Sequence, residues 1–188
     1  SEIVTSNPDS THFRQAAVRR YARAVLDIEQ TQEKGLPALP HQRQAHEQAR
    51  AGLDSLRPHS ARDLESALDR DPSLIGEAAQ GRTQRAIRAM QAEAEIRNDP
   101  KLRADRFVET WRALDRQRAE SFRRGDWKSE QRIRNSMGAF ARSLERDPQM
   151  ESLLRNRHRE LGLSMPGHSI GHDLMDHLGI GRGRGLSI

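Results

Sequence analysis

Five side chains able to ligate a metal lie close together near the end of the sequence: His168, His172, Asp173, Asp176 and His177. In a helix, His168/His172 and Asp173/His177 would share a face, as ligands to one ion must. Gly167 and Gly171 weaken a helix there, and no second ligand cluster accompanies the group, so no metal site is expected. His12, His41, His46, His59 and His158 are scattered and suit surface or capping positions. Most carboxylates stand three or four residues from an arginine, as in Glu93/Arg97, Asp105/Glu109/Arg112 and Asp115/Arg118, the pattern of solvated helical ladders rather than of paired acid and base groups. Gly179, Gly181 and Gly183 alternate with other residues but follow no strand, so they make no dinucleotide-binding loop, and no nucleophile-elbow, zincin or Walker pattern occurs. The absence of cysteine excludes disulfides, thiolate metal sites and cysteine nucleophiles. The sequence therefore predicts a protein that is not an enzyme and needs no cofactor.

The chemistry left over is cationic. The 188 residues carry 32 Lys+Arg against 27 Asp+Glu. The surplus is uneven: residues 1–100 hold 14 cations and 15 acids, residues 101–160 hold 16 and 10, and residues 161–188 two of each. All but Lys34, Lys101 and Lys128 are arginines, whose planar fork suits bidentate contact with carboxylate or phosphate. Arg116, Arg118, Arg123, Arg124 and Lys128 gather near one turn, while Arg132, Arg134, Arg155, Arg157 and Arg159 are expected on outward helix faces. Arg182 and Arg184 sit in the glycine-rich ending. A solvated face, a dock for an acidic protein and a phosphate-binding surface all fit this pattern. Few aromatics look exposed, which argues against stacking on single strands.

These residues must be positioned by helices. Phe13, Ala16, Ala17, Tyr21, Ala24, Val25 and Ile28 fall on one stripe and predict a helix over about 10–34, ended by Gly35 and Pro37. Ala45, Ala49, Leu53 and Leu56 predict a second that stops before Pro58, and Ser60 with Asp63 reads as a capping box opening a third. Asp71-Pro72, Asp99-Pro100 and Asp147-Pro148 each read as a helix start, Asp accepting from the free first-turn amides and Pro occupying the position that needs no donor. They open helices over 72–97, broken near Gly81, and over 147–161. Between them Phe107, Trp111, Leu114 and Phe122 on one helix and Ile133, Met137, Phe140 and Leu144 on the next predict a hairpin of 100–124 against 126–146, turned at Arg124-Gly125-Asp126. With seven aromatics in all, the expected fold is all-α, a slender helical body over residues 1–163 followed by a flexible tail over 164–188 that holds one brief amphipathic segment, Ile170, Leu174 and Leu178. No apolar run is long enough to cross a bilayer, no secretory leader is visible in Ser1–Ser6, and a monomer is expected.

The stretch Ala141-Arg142-Ser143-Leu144-Glu145-Arg146-Asp147-Pro148-Gln149-Met150-Glu151-Ser152-Leu153-Leu154-Arg155-Asn156-Arg157-His158-Arg159-Glu160-Leu161-Gly162-Leu163, with the Gly-Arg-Gly-Arg-Gly ending, resembles the C-terminus of Ti-plasmid-type conjugative relaxases. That region looks like a BID domain, the intracellular-delivery module that marks proteins for type IV secretion. The likeness is strong over about 98–188 and loose upstream. It implies an elongated antiparallel four-helix bundle topped by a hook, and a bipartite signal pairing the folded domain with a positive tail. Here Asp173 and Asp176 cancel Arg182 and Arg184, a departure from that pattern. The resemblance implies docking on a type IV coupling protein and other secretion machinery. It also implies a bacterial cytoplasmic origin with export into a recipient cell. Arg123, Arg124, Lys128, Arg132, Arg134, Arg155, Arg157, Arg159, Arg182 and Arg184 are then the expected contact residues. A helical nucleic-acid-binding accessory domain and the delivery module of a host-directed effector are the competing readings.

Overall fold

The computed structural model describes residues 8–180, and among these every regular element is helical. In chain order these are α1 (Pro8–Glu33), α2 (Pro40–Leu56), α3 (Ser60–Arg70), α4 (Ser73–Ala79), α5 (Gln84–Asn98), α6 (Pro100–Arg123), α7 (Trp127–Arg142), a 3-10 turn (Ser143–Arg146), α8 (Pro148–Arg155) and α9 (Ile170–His177). The fold is all-α, as the spacing of apolar residues predicts.

Two of the three Asp-Pro phrases cap helices as expected, whereas at Asp71-Pro72 the helix opens one residue later, at Ser73, with Pro72 in the N-cap place. The Asp99 side chain accepts from the amides of Lys101 and Leu102 at the start of α6, Asp126 from Ser129 on α7, and Asp147 from Met150 on α8. Gly125 takes φ +69° to turn α6 into α7, and Gly81 takes φ +95° where the expected 72–97 helix breaks into α4 and α5. The Ser60/Asp63 capping box does not set the start of α3. Its N-cap is His59, held left-handed, and Asp54 Oδ1 at the end of α2 accepts from the Ala61 amide at 2.9 Å.

The chain divides into two compact units at residues 95/96, within the last turn of α5, and not at the expected boundary of 163/164. In the first unit α1 packs on α2 and α4, around a core that includes Val18, Tyr21, Ala22, Leu53, Leu64, Leu74 and Met90. The predicted α1 stripe is partly displaced: Tyr21 and Ala24 are buried, but Phe13 and Ala16 face solvent and Val18 and Ala22 point inward instead.

In the second unit α6 and α7 form the expected hairpin, with α8 against α6 and α9 against α7. Trp111 is 1% exposed and its indole N–H donates to the Leu161 carbonyl at 3.1 Å. Phe107 stacks on Phe140 with ring centroids 4.2 Å apart. Phe122, expected inward, is exposed: the buried line along α6 passes through Ser121 in its place. The helix predicted over 147–161 ends at Arg155, and turns carry the chain to Gly162.

The largest departure from expectation is the segment assigned to a flexible tail. Residues 170–177 form α9, and Ile170, Leu174 and Leu178 are buried in the second core. Gly171, read as a helix weakener, is what lets this helix dock, since a Cβ there would stand 3.0 Å from the Ala141 carbonyl oxygen. Ser169 caps α9 through the His172 amide, and the Glu151 carboxylate on α8 accepts from the amides of Ile170 and Gly171. Two orphan donors of one helix are thus satisfied by a side chain of another. The remainder of the expected tail, residues 181–188 with Arg182 and Arg184, lies outside the described residues.

Candidate functional site

The structure splits the expected cationic surface of the second unit into places of different chemical character. At the α6–α7 turn, Gly125 and the Asp126 cap bring Arg123, Arg124 and Lys128 together, all exposed. Arg123 and Lys128 form no ion pair among the described residues, and Arg124 reaches Glu120 only at 3.7 Å. Asp126 is occupied as the cap: its hydrogen bonds from Ser129 hold its carboxyl below the usual range. Arg132 is exposed one turn further along α7, whereas Arg134 is half-buried and bonded to the nearly buried Glu130 at 3.1 Å.

The 155–159 trio, expected to be uniformly outward, has three separate fates because the helix ends at Arg155. Arg155 donates to the His168 carbonyl at 2.8 Å, pinning the approach to α9. Arg157 clamps Asp105 at 2.5 Å and Glu160 at 2.6 Å, and its guanidinium is pushed to higher pKa mainly by the bond to Glu160. It is a structural clamp and not a free contact residue. Arg159 stays exposed and opens, with Arg112 and Arg116, onto a shallow depression of about 470 Å³ floored by Trp111 and Leu161. The two acids on this rim are already engaged, Asp115 with Arg118 at 2.8 Å and Glu160 with Arg157. The depression therefore presents three guanidiniums whose neighbouring carboxylates are neutralised. It suits a carboxylate-bearing or phosphate-bearing surface.

Arg112 belongs to this group but reads in the sequence only as a rung of a helical ladder. A second arginine cluster was also invisible in the charge count. Arg19, Arg20 and Arg23 on α1 line a cleft of about 520 Å³ that ends at Gly81, in a half of the chain whose net charge is slightly negative. Arg23 there donates to the Ala79 carbonyl at 3.1 Å and Arg20 to Gln48 at 3.4 Å.

Of the candidate metal ligands, His172, Asp173 and Asp176 do come together, each able to place one donor atom within 4.8 Å of the others. Local bonds account for them. His172 Nδ1 lies 3.3 Å from Asp176, and Asp173 accepts from the Gly167 amide at 2.8 Å. His168 packs its ring edge-on to His172, and His177 is exposed outside the group. No helix among the described residues is long and apolar enough to cross a membrane. No known family, curated protein or solved structure matches the chain.

Proposed function

We propose that this chain is a translocation-signal domain, through which a conjugative relaxase with its attached DNA strand is presented to a type IV secretion system. On this reading it acts by binding and not by catalysis. It docks as a monomer, without cofactor, on the coupling protein in the bacterial cytoplasm, and travels into the recipient cell. The resemblance of residues 141–163 to the delivery module of conjugative relaxases supports the reading, and the elongated four-helix bundle with a hook belongs to the same proposal.

The observation that carries it is the depression edged by Arg112, Arg116 and Arg159, whose local acids are already paired. A surface of that kind complements an acidic protein partner. One exposed ionic contact contributes only about 0.2–1 kcal/mol, so the three must be changed together. The test fuses residues 1–188 to a reporter and measures delivery through a type IV system. The wild-type fusion is expected to be delivered, and the Arg112→Glu/Arg116→Glu/Arg159→Glu variant to be delivered poorly with unchanged helix content. Arg157 is left intact, because reversing it would break two ion pairs of the fold. A folded wild-type fusion delivered no better than the reporter alone refutes the proposal.

A further inference from the structure

We propose that the α6–α7 turn is a stacking site for single-stranded nucleic acid, with Trp127 and Phe122 as the base platform and Arg123, Arg124 and Lys128 as phosphate contacts. The inference stands on the geometry of the turn and is independent of the export reading.

Large apolar side chains left in water are ordinary when scattered, and informative when they adjoin. Here two aromatic rings adjoin. Phe122 is 58% exposed and Trp127 60%, and their centroids lie 5.3 Å apart with the ring planes at 75°. Neither belongs to the core of the second unit. An edge-to-face pair fixes the rings against each other while the indole stays largely exposed, so a base can stack without displacing core packing. Phe122 closes α6 and Trp127 opens α7, which places both rings at the tip of the hairpin.

The charge around the pair selects the ligand. Arg123 and Lys128 are exposed and unpaired among the described residues. Arg124 shares only a long, exposed contact with Glu120, which a phosphate can displace. The nearest other acid, Asp126, is committed to capping α7. Between residues 116 and 134 the sequence carries seven cations and three carboxylates, and one of those, Glu130, is nearly buried against Arg134. Cations flanking a free aromatic face are the two elements of sequence-tolerant single-strand recognition. An acidic protein surface would use the cations, but its carboxylates gain nothing from the rings, whereas every base has a face that stacks on them.

The two tryptophans provide the assay. Trp111 is 1% exposed and hydrogen-bonded inside the core, whereas Trp127 is open, so emission quenched by a stacked base comes from Trp127. The full chain is titrated at about 50 mM salt with an oligo-dT strand and with an abasic deoxyribose-phosphate strand of equal length and charge. Quenching is expected with oligo-dT, with a slope of log affinity on log salt of about −2 for three phosphates. Trp127→Leu should weaken oligo-dT binding about 5- to 150-fold, the range for losing one stacked base, and should bring it towards the abasic strand's affinity. Arg123→Glu/Lys128→Glu should weaken both strands. All the substituted side chains are exposed, so circular dichroism should be unchanged in each variant. Equal affinity for the two strands, or wild-type affinity in Trp127→Leu, means that bases are not stacked and overturns the proposal. So does quenching of the same size by polyglutamate, which would make the turn a dock for acidic protein, and so does a failure to bind oligo-dT at all.

Discussion

Replacing Leu174 by alanine removes the central side chain of α9, the helix that stands where the sequence suggests a tail. Leu174 is fully buried among α7, α8 and the 3-10 turn, as part of the core that also holds Trp111. Burying a leucine and then truncating it costs about 2–5 kcal/mol, the spread reflecting how far the surroundings collapse into the space. Here collapse is blocked. The α9 and α7 backbones already touch at Gly171, where a Cβ would be only 3.0 Å from the Ala141 oxygen, so the helix cannot move inward to close the cavity. The loss should therefore fall in the upper part of the range, about 3–5 kcal/mol, a large fraction of the roughly 5–15 kcal/mol that holds a domain together. With a urea dependence of about 1–3 kcal/mol per molar, the unfolding midpoint should fall by at least about 1 M. The blue emission of buried Trp111 follows this unit directly. Met165→Ala is the control, because Met165 is exposed and lies just before the same helix. If Leu174→Ala shifts the midpoint no more than the control does, α9 is not part of the core and its packing is misread.

Two glycine substitutions on the same contact should differ in sign. Gly171→Ala pushes its Cβ against a helix carbonyl that has nowhere to go, so an overpacking cost of about 1–3 kcal/mol outweighs a helix-propensity gain of about 0.5–1 kcal/mol, and Tm should drop. Gly138→Ala crowds the Cδ1 of Ile180, the end of a rotatable chain, and meets Arg142 and Met175 at ordinary contact distance, so the propensity gain should survive and Tm should hold or rise; the reverse order in thermal melts would contradict the packing. The one tyrosine, Tyr21, is buried in the first core, and desolvation, helped by nearby Glu65, raises its pKa from 10.0 to about 12. Its folded pKa lies above the unfolded one, so this contribution to stability is complete below about pH 10 and is lost as pH rises towards 12. Ultraviolet absorbance of the phenolate should show a midpoint near 12 in the native protein and near 10 in denaturant, and a native midpoint near 10 would mean that Tyr21 is solvated.

Much of the helical order is legible in the sequence because its signals are local. Asp99-Pro100, Asp147-Pro148 and Gly125-Asp126 act within one turn of themselves, and the period of Phe107, Trp111, Met137 and Leu144 marks the face that packs. What failed to show were relations between distant residues. Arg157 looks as free as Arg159 in the sequence, yet it finds Asp105, 52 positions away, and becomes a clamp. Gly171 reads as a helix weakener on propensity, and close approach to Ala141 reverses its meaning. Phe122 fits the inward spacing, yet Ser121 takes the inward place and the ring is left in water beside Trp127, contrary to the expectation of few exposed aromatics. The cluster of Arg112, Arg116 and Arg159 joins two segments that only the turn at 156–162 brings together.

The place of α9 in the second core sets an order for synthesis. The first unit has its whole core, from Val18 to Met90, in hand once the ribosome has passed the middle of α5. It can begin to fold while the rest is still being made, as domains ahead of the growing end generally do. The second unit cannot close early. The helical hairpin and α8 emerge with one side of their apolar surface uncovered, and the Glu151 carboxylate has no amides to accept from until Ile170 and Gly171 appear. Its core is complete only when Leu178 has been added. A pause or a premature stop between residues 155 and 170 would thus leave a half-covered hairpin on the nascent chain, where an exposed apolar face invites capture by a chaperone or by another copy.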